Sequence, residues 1–309
     1  MSTDKDDGKV PITTGHRNLL LATSLLTLVL VILGGIVCVT DSSKACPDWP
    51  GCYGQLIPPL RINAILEYSH RVTAALTSLL IIASAIIGWR NSRPVRWVSW
   101  PPLIAIAFLL AVIVFGALVV LRGLEPGLAA LDLGAALMVL ALMVTATVVA
   151  AARHQRPDLA ARLSFHEPLV RLALGTLILV FLVLVSGVLV AASGSPVRCL
   201  GWPLYGGDWP VAEGRHWLQL ARRVLGGIAG VSIITVVVQA WRRHQLGAIR
   251  PAAAVVGLLF LAEIVIGGLM VAYNPGLALQ LVHAALAAAL WASLVALAVL
   301  AGWASSASE

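Results

Sequence analysis

Eight Asp, Glu, His or Arg side chains lie four or more residues inside the apolar stretches of this 309-residue chain: Glu67, His70, Arg71, Asp132, Arg222, Arg223, Glu263 and His283. An ionisable group in hydrocarbon is costly and marks a functional site by default. Glu67 and His70, at i and i+3, share one helix face. A carboxylate beside an imidazole suits proton or redox chemistry on a bound ligand. His70 and His283 each lie about seven residues from the end of their run, roughly 10 Å deep at helical rise. Helical bundles hold cofactors between facing helices, and neutral imidazole is a standard axial ligand of heme iron. A lone histidine in a membrane helix is otherwise a helix-to-helix hydrogen-bonding group. Residue type by itself leaves both readings open.

The elements that must position these groups are long apolar runs. Sixty per cent of residues are apolar and 11% are charged, too few charges for the surface of a soluble domain of this size. Runs of about 20 residues, the length that crosses a bilayer core, fall at 18–40, 63–89, 100–121, 128–151, 168–192, 216–241, 251–273 and 276–302. They show no strand-like alternation, which predicts eight helices in an all-α integral membrane protein. The start is polar and acidic (Asp4, Asp6, Asp7), and the first run lacks a small-residue cleavage pattern. It is expected to stay as an anchor rather than be removed.

Lys and Arg set the expected orientation. Thirteen fall on one side: Lys5, Lys9, Arg17, Arg90, Arg93, Arg96, Arg153, Arg156, Arg162, Arg171, Arg242, Arg243 and Arg250. Five fall on the other: Lys44, Arg61, Arg122, Arg198 and Arg215. Both termini are therefore expected in the cytoplasm, with outer loops at 41–62, 122–127, 193–215 and 274–275. The net charge of +7 follows from this bias, and no soluble basic domain offers a nucleic-acid surface. Cys46 and Cys52 share the first outer loop, where a six-residue spacing closes a small disulfide ring or leaves two free thiols. Cys38, inside the first run, reads as a small buried hydrophobe.

The chain also repeats itself. Cys46-Pro-Asp-Trp49-Pro50 recurs as Cys199-Leu-Gly-Trp202-Pro203, and Glu67-Tyr-Ser-His70-Arg71 recurs as Gln219-Leu-Ala-Arg222-Arg223. Gly116-Ala-Leu-Val-Val recurs as Gly267-Gly-Leu-Met-Val, and 16 residues beyond those glycines stand Asp132 and His283. All four offsets are 151–153 residues. They predict two pseudo-symmetric four-helix bundles of like orientation, residues 1–155 and 156–309.

The run Cys46-Pro-Asp-Trp-Pro-Gly-Cys52-Tyr-Gly-Gln-Leu-Ile-Pro-Pro59, followed by Glu67-x-x-His70-Arg71, resembles heme A synthase over essentially the whole chain. That family oxidises the methyl group of heme O to the formyl group of heme A for terminal oxidases. The resemblance implies a substrate-heme site between spans 2 and 4 and a heme b site between spans 6 and 8, each held by two histidines. Glu67 would be the catalytic or substrate-positioning carboxylate, and His70 an axial ligand of the substrate heme. His283 would be a ligand of heme b, and Cys46 with Cys52 the functional outer pair. The implied partners are a heme O synthase, a recipient terminal oxidase and the plasma-membrane bilayer, with oligomers allowed.

Three positions depart from the family pattern. Asp132 stands at the span 4 histidine, Arg222 at the span 6 histidine and Tyr205 at the second loop's partner cysteine. His154, His166 and His244 lie on the cytoplasmic side, His16 lies in the N-terminal tail, and His216 lies at the membrane edge. Each half is thus expected to keep one ligand. Arg71 and Asp132 are further candidate heme-binding residues. A carboxylate can bind ferric iron weakly but is a poor axial ligand for ferrous iron, so Asp132 is expected rather to hydrogen-bond the His70 ring or pair with Arg71. Arg222 and Glu263, about 6 Å apart in depth, are expected to form an intramembrane ion pair in the second heme's place. Three functions compete: a divergent heme A synthase, a non-catalytic heme-binding paralogue or assembly factor, and an unrelated electron carrier or transporter. The sequence carries no nucleotide-binding motif, so electrons are expected to be exchanged with a partner.

Overall fold

A computed structural model describes residues 11–48, 51–55, 57–122, 125–156, 163–192, 214–243, 247–273 and 276–306. Among them are eight α-helices: α1 (Thr14–Val39), α2 (Ile62–Asn91), α3 (Arg96–Arg122), α4 (Pro126–Gln155), α5 (Pro168–Ala192), α6 (Gly214–Arg243), α7 (Ile249–Ala272) and α8 (Leu277–Ser306). Every one is long and apolar enough to span a bilayer. The chain is an all-α, multi-pass membrane protein. In hydrocarbon each backbone N–H and C=O must find its partner within the segment, and a helix does that with no help from sequence. Hydroxyls inside the spans obey the same demand. Thr23, Thr77, Thr145, Thr176 and Thr235 each donate to the carbonyl four residues back, at 2.7–2.8 Å.

The helices begin and end where local chemistry allows. Thr13 caps α1 by accepting from the His16 amide at 3.2 Å. Pro126 opens α4, where its missing N–H is no loss. At the α2–α3 turn, Arg93 lies 4.5 Å over the Trp89 ring, which meets Trp100 edge-on. Such an amphipathic cluster suits a membrane–water boundary.

Helices α1–α2, α2–α3, α3–α4 and α1–α4 pack together, as do α5–α6, α6–α7, α7–α8 and α5–α8. Contacts between these two sets run through α4–α8, α1–α8 and α4–α5. In the most apolar window of α4 and α8, 44% and 56% of residues are buried, against 11–28% in the other six spans. Those two helices therefore form the centre. Their core includes Leu137, Leu140, Met143, Leu294 and Leu297, and the Trp291 indole donates to the Leu137 carbonyl at 2.9 Å. Polar side chains also tie α1 to its neighbours. Thr23 meets Ser84 at 3.2 Å, and Ser24 meets Thr147 at 2.7 Å.

Two expectations about α1 are corrected. His16 does not lie in a tail: α1 starts at Thr14, and the ring is buried with Nδ1 3.1 Å from Ser92 Oγ. Cys38 is exposed rather than buried. It follows Val37, which faces the core, and a one-residue step turns a helix by about 100°.

Candidate functional site

The turn between α1 and α2 is a compact knot held from below by α2. Cys46 and Cys52 form a disulfide, with Cα atoms 4.7 Å apart, and both are buried. Asp48 builds the turn beneath it. Its carboxylate accepts from the amides of Tyr53 at 2.5 Å and Gly54 at 2.7 Å. Tyr53 and Gly54 both have positive φ, 58° and 65°, a backbone that needs such an external hold at a non-glycine residue. The Gly54 amide first, then the Tyr53 amide and the Arg71 charge, hold the Asp48 carboxyl below its ordinary pKa.

Glu67 and Arg71 fasten that knot to the membrane helix. Glu67 is 3% exposed, in the first turns of α2. Its Oε2 accepts from the Cys46 amide at 2.7 Å, and its Oε1 pairs with Arg71 one turn on. The Arg71 guanidinium also donates to the carbonyls of Asp48, at 2.5 Å, and Gly51. The structure thus partners Glu67 with Arg71 and the loop. The i,i+4 pair and the loop amide together use both of its oxygens.

His70 sits one turn inside this lock. Its Nε2 lies 3.3 Å from where a Cβ on Gly34 would be, so the glycine of α1 makes room for the ring. Among the described residues His70 makes no hydrogen bond and no ion pair, and its ring is left available as a ligand. Asp132 Oδ1 is buried without a hydrogen-bond partner. Among the described residues no bond from Asp132 to His70 or Arg71 is formed, and Arg71 is engaged instead by Glu67 and the loop carbonyls.

The second set of helices repeats the glycine arrangement with different chemistry. Gly187 of α5 lies against Arg222 of α6: a Cβ there would come within 2.9 Å of the guanidinium. Gly34 and Gly187 are 153 residues apart, and His70 and Arg222 are 152 apart. Sequence reading passed over these glycines, although their offset matches the repeat. Among the described residues Arg222 and Glu263 make no ion-pair contact within 4 Å, although the two charges still act on each other. Glu263 of α7 instead meets His283 of α8, Oε1 to Nδ1 at 3.1 Å, off the line of a full hydrogen bond. Depth arithmetic placed Arg222 and Glu263 at similar levels but said nothing about rotation around each axis. Arg222 turns toward α5 and Glu263 toward α8. Arg222 Nε and Glu263 Oε2 are buried with no hydrogen-bond partner.

The second cysteine motif (Cys199, Trp202, Pro203, Tyr205), Trp49, Pro50 and the side chains of His216 and Gln219 lie outside the described residues. A volume of about 450 Å³ lined by Val224, Gly227, Ile228, Val231, Ser232 and Thr235 follows one face of α6. None of the ionisable groups above lines it, and it plays no part in the site.

The sequence profile of the cytochrome oxidase assembly protein family, COX15-CtaA, matches residues 17–66 and 61–295. The chain is 27% identical over 285 residues to a heme A synthase of Bacillus cereus (strain 03BB102), covering 89% of this chain and 90% of that protein. Heme A synthases of Bacillus anthracis (strain CDC 684 / NRRL 3495) and Bacillus thuringiensis subsp. konkukian (strain 97-27) match equally, at 27% over 285 residues. The residues carrying the lock and the two glycine-backed positions all lie within the matched span, and the chain belongs to this family, which includes the heme A synthases.

Proposed function

We propose that the protein is a divergent heme A synthase that oxidises the methyl group of heme O to the formyl group of heme A. The observation that carries the reading is the pairing of an unpartnered His70, backed by Gly34, with a disulfide loop clamped beside it by Glu67 and Arg71. Bis-histidine ligation, as the family forms it, does not fit this chain, because Asp132 and Arg222 stand at two of the four positions. One histidine per half does fit, and the orphaned Asp132 Oδ1 and Arg222 Nε leave polar capacity where a ligand would enter.

In this reading residues 1–155 hold the substrate and residues 156–309 form a second bundle of the same plan. Both termini face the cytoplasm, and the disulfide loop faces the outer side of the plasma membrane. His70 would hold the iron of heme O. The iron, when bound, supplies the redox chemistry. The chain's own residues supply the rest. Glu67 and Arg71 hold the loop over the mouth of the bundle and limit water there, and Glu67 is the carboxylate nearest His70 along α2 that can take a proton once its lock opens. Asp132 is a second proton acceptor on the opposite helix. Heme O synthase supplies the substrate, a terminal oxidase receives the product, and electrons pass to a separate carrier.

The test is heme extraction from cells expressing this chain together with a heme O synthase. Heme A above the level of the synthase alone supports the activity. The two replaced histidine positions favour a second reading, a heme-binding assembly factor without catalysis. Bound heme with no heme A is its signature.

A further inference from the structure

The turn from α2 to α3 carries a charge pattern that neither the heme reading nor the packing of the helices uses. Arg90, Arg93 and Arg96 stand there within seven residues, and no Asp or Glu occurs between Glu67 and Glu125. All three arginines are exposed. Among the described residues none of their side chains makes an ion pair or a hydrogen bond. Arg71, at the other end of α2, instead directs its donors to Glu67 and the loop carbonyls.

Two tryptophans form a platform beside that charge. The Arg93 guanidinium carbon lies 4.5 Å from the centroid of the Trp89 ring, and Trp89 meets Trp100 of α3 edge-on, centroids 5.9 Å apart. The aromatic contact holds the cation and uses none of its five N–H donors. Trp89 and Trp100 are 37% and 49% exposed, at the ends of spanning helices, where indoles mark headgroup depth. Exposed aliphatic side chains lead away from the platform, Ile82 and Ile86 on α2 and Ile104 on α3. Spacings of three and four residues keep each row on one face of its helix, and the Trp89–Trp100 contact joins the rows at the arginine end. The repeat does not duplicate this arrangement. Trp89-Arg90 recurs 152 residues on as Trp241-Arg242, but Gln245 stands at the position of Arg93 and Ala252 at that of Trp100.

We infer that this turn binds an anionic phospholipid, with Arg93 and its two neighbouring arginines on the headgroup phosphate and the acyl chains along the isoleucine rows. A guanidinium meets a phosphate through two parallel N–H bonds, and basic clusters beside spanning helices recognise anionic headgroups. A soluble phosphate or an acidic peptide would engage the arginines and leave the aliphatic rows uncovered. A lipid fills both. The site lies at the opposite end of α2 from Glu67 and His70, so it stands whatever reaction those residues perform.

Native mass spectrometry of the full-length protein, stripped of lipid in detergent and then titrated with phosphatidylglycerol or phosphatidylcholine, tests the assignment. The unaltered chain should retain phosphatidylglycerol at concentrations where phosphatidylcholine is lost. Arg93→Gln should weaken that retention about fivefold, and replacing Arg90, Arg93 and Arg96 together by Gln should bring it to the phosphatidylcholine level. Trp100→Ala, which removes the edge-on support of Trp89, should weaken it at least about twofold. Arg242→Gln removes the same charge from the matching end of α6 and should leave retention unchanged. These side chains are exposed, so the variants should fold, with an unchanged melting temperature as the check. Equal losses in Arg93→Gln and Arg242→Gln would reduce the effect to net charge and overturn the site, as would equal retention of the two lipids. Lipid retention that none of the variants alters, with binding to a heme O synthase lost instead, would give the surface to a protein and overturn it too.

Discussion

Glu67 has two carboxylate oxygens, and the structure gives one to the Cys46 amide and the other to Arg71. Removing one partner of such a buried pair is strongly destabilising, because it leaves the other charge uncompensated. Glu67→Ala is therefore expected to destabilise the loop-bearing end by about 3–5 kcal/mol, seen as early loss of protease resistance in the loop. Glu67→Gln keeps an acceptor for the Cys46 amide and loses the charge-assisted bond, worth about 1.5–3 kcal/mol. It should fold, yet its disulfide should be reduced at least about tenfold faster. An unchanged reduction rate would mean that the lock does not hold the loop. Asp48 gives the same knot a pH dependence. Its folded-state pKa lies below the ordinary value, so its contribution is complete above about pH 4 and is lost as pH falls through the depressed value. Loop protection should decline in that acid range, and Asp48→Asn, lacking the titration, should show a flatter acid limb.

At the scale of elements, two of the four histidine-position side chains, His70 and Arg222, lie against a glycine in the helix beside them. A Cβ on Gly34 would sit 3.3 Å from His70 Nε2, tight enough to push the ring by a few tenths of an ångström. Alanine in a helix also gains up to about 1 kcal/mol over glycine. Gly34→Ala should therefore leave stability within about 1 kcal/mol and shift the spectrum of any heme held by His70. Gly187→Ala meets only the end of the flexible Arg222 side chain and should leave that heme unaffected. A first-site spectrum that ignores Gly34→Ala would separate His70 from the ligand role. Span positions were legible because length and apolarity decide them, and α5 begins and ends where its apolar run does. The rotation of each span about its axis was not legible. Hydropathy fixes depth, whereas the partner of Glu263 depends on which side of α7 faces α8. Cys38 failed for the same reason, since being in a span does not say which face of it.

The whole molecule is organised around α4 and α8, the two most buried spans, which cross between the two sets of helices. Trp291→Phe removes the indole bond to the Leu137 carbonyl and should cost about 0.5–1.5 kcal/mol, read as a lower melting temperature in detergent with the heme spectra unchanged. The repeat offsets lead the sequence to predict a doubling, and the disulfide was legible in the Cys46–Cys52 spacing and loop setting. What the sequence hid was which of the ionisable groups meet in the fold. Matching positions carry His70 and Arg222, and only the folded chain reveals that Glu263 meets His283. The measurement that bears most directly on the account is the identity of the heme bound to protein purified from cells making heme O, comparing the unaltered chain with His70→Ala and His283→Ala. The account predicts heme O and heme A on the unaltered chain, both missing from His70→Ala, and both retained by His283→Ala. Heme O or heme A still bound to His70→Ala at the unaltered level would contradict it.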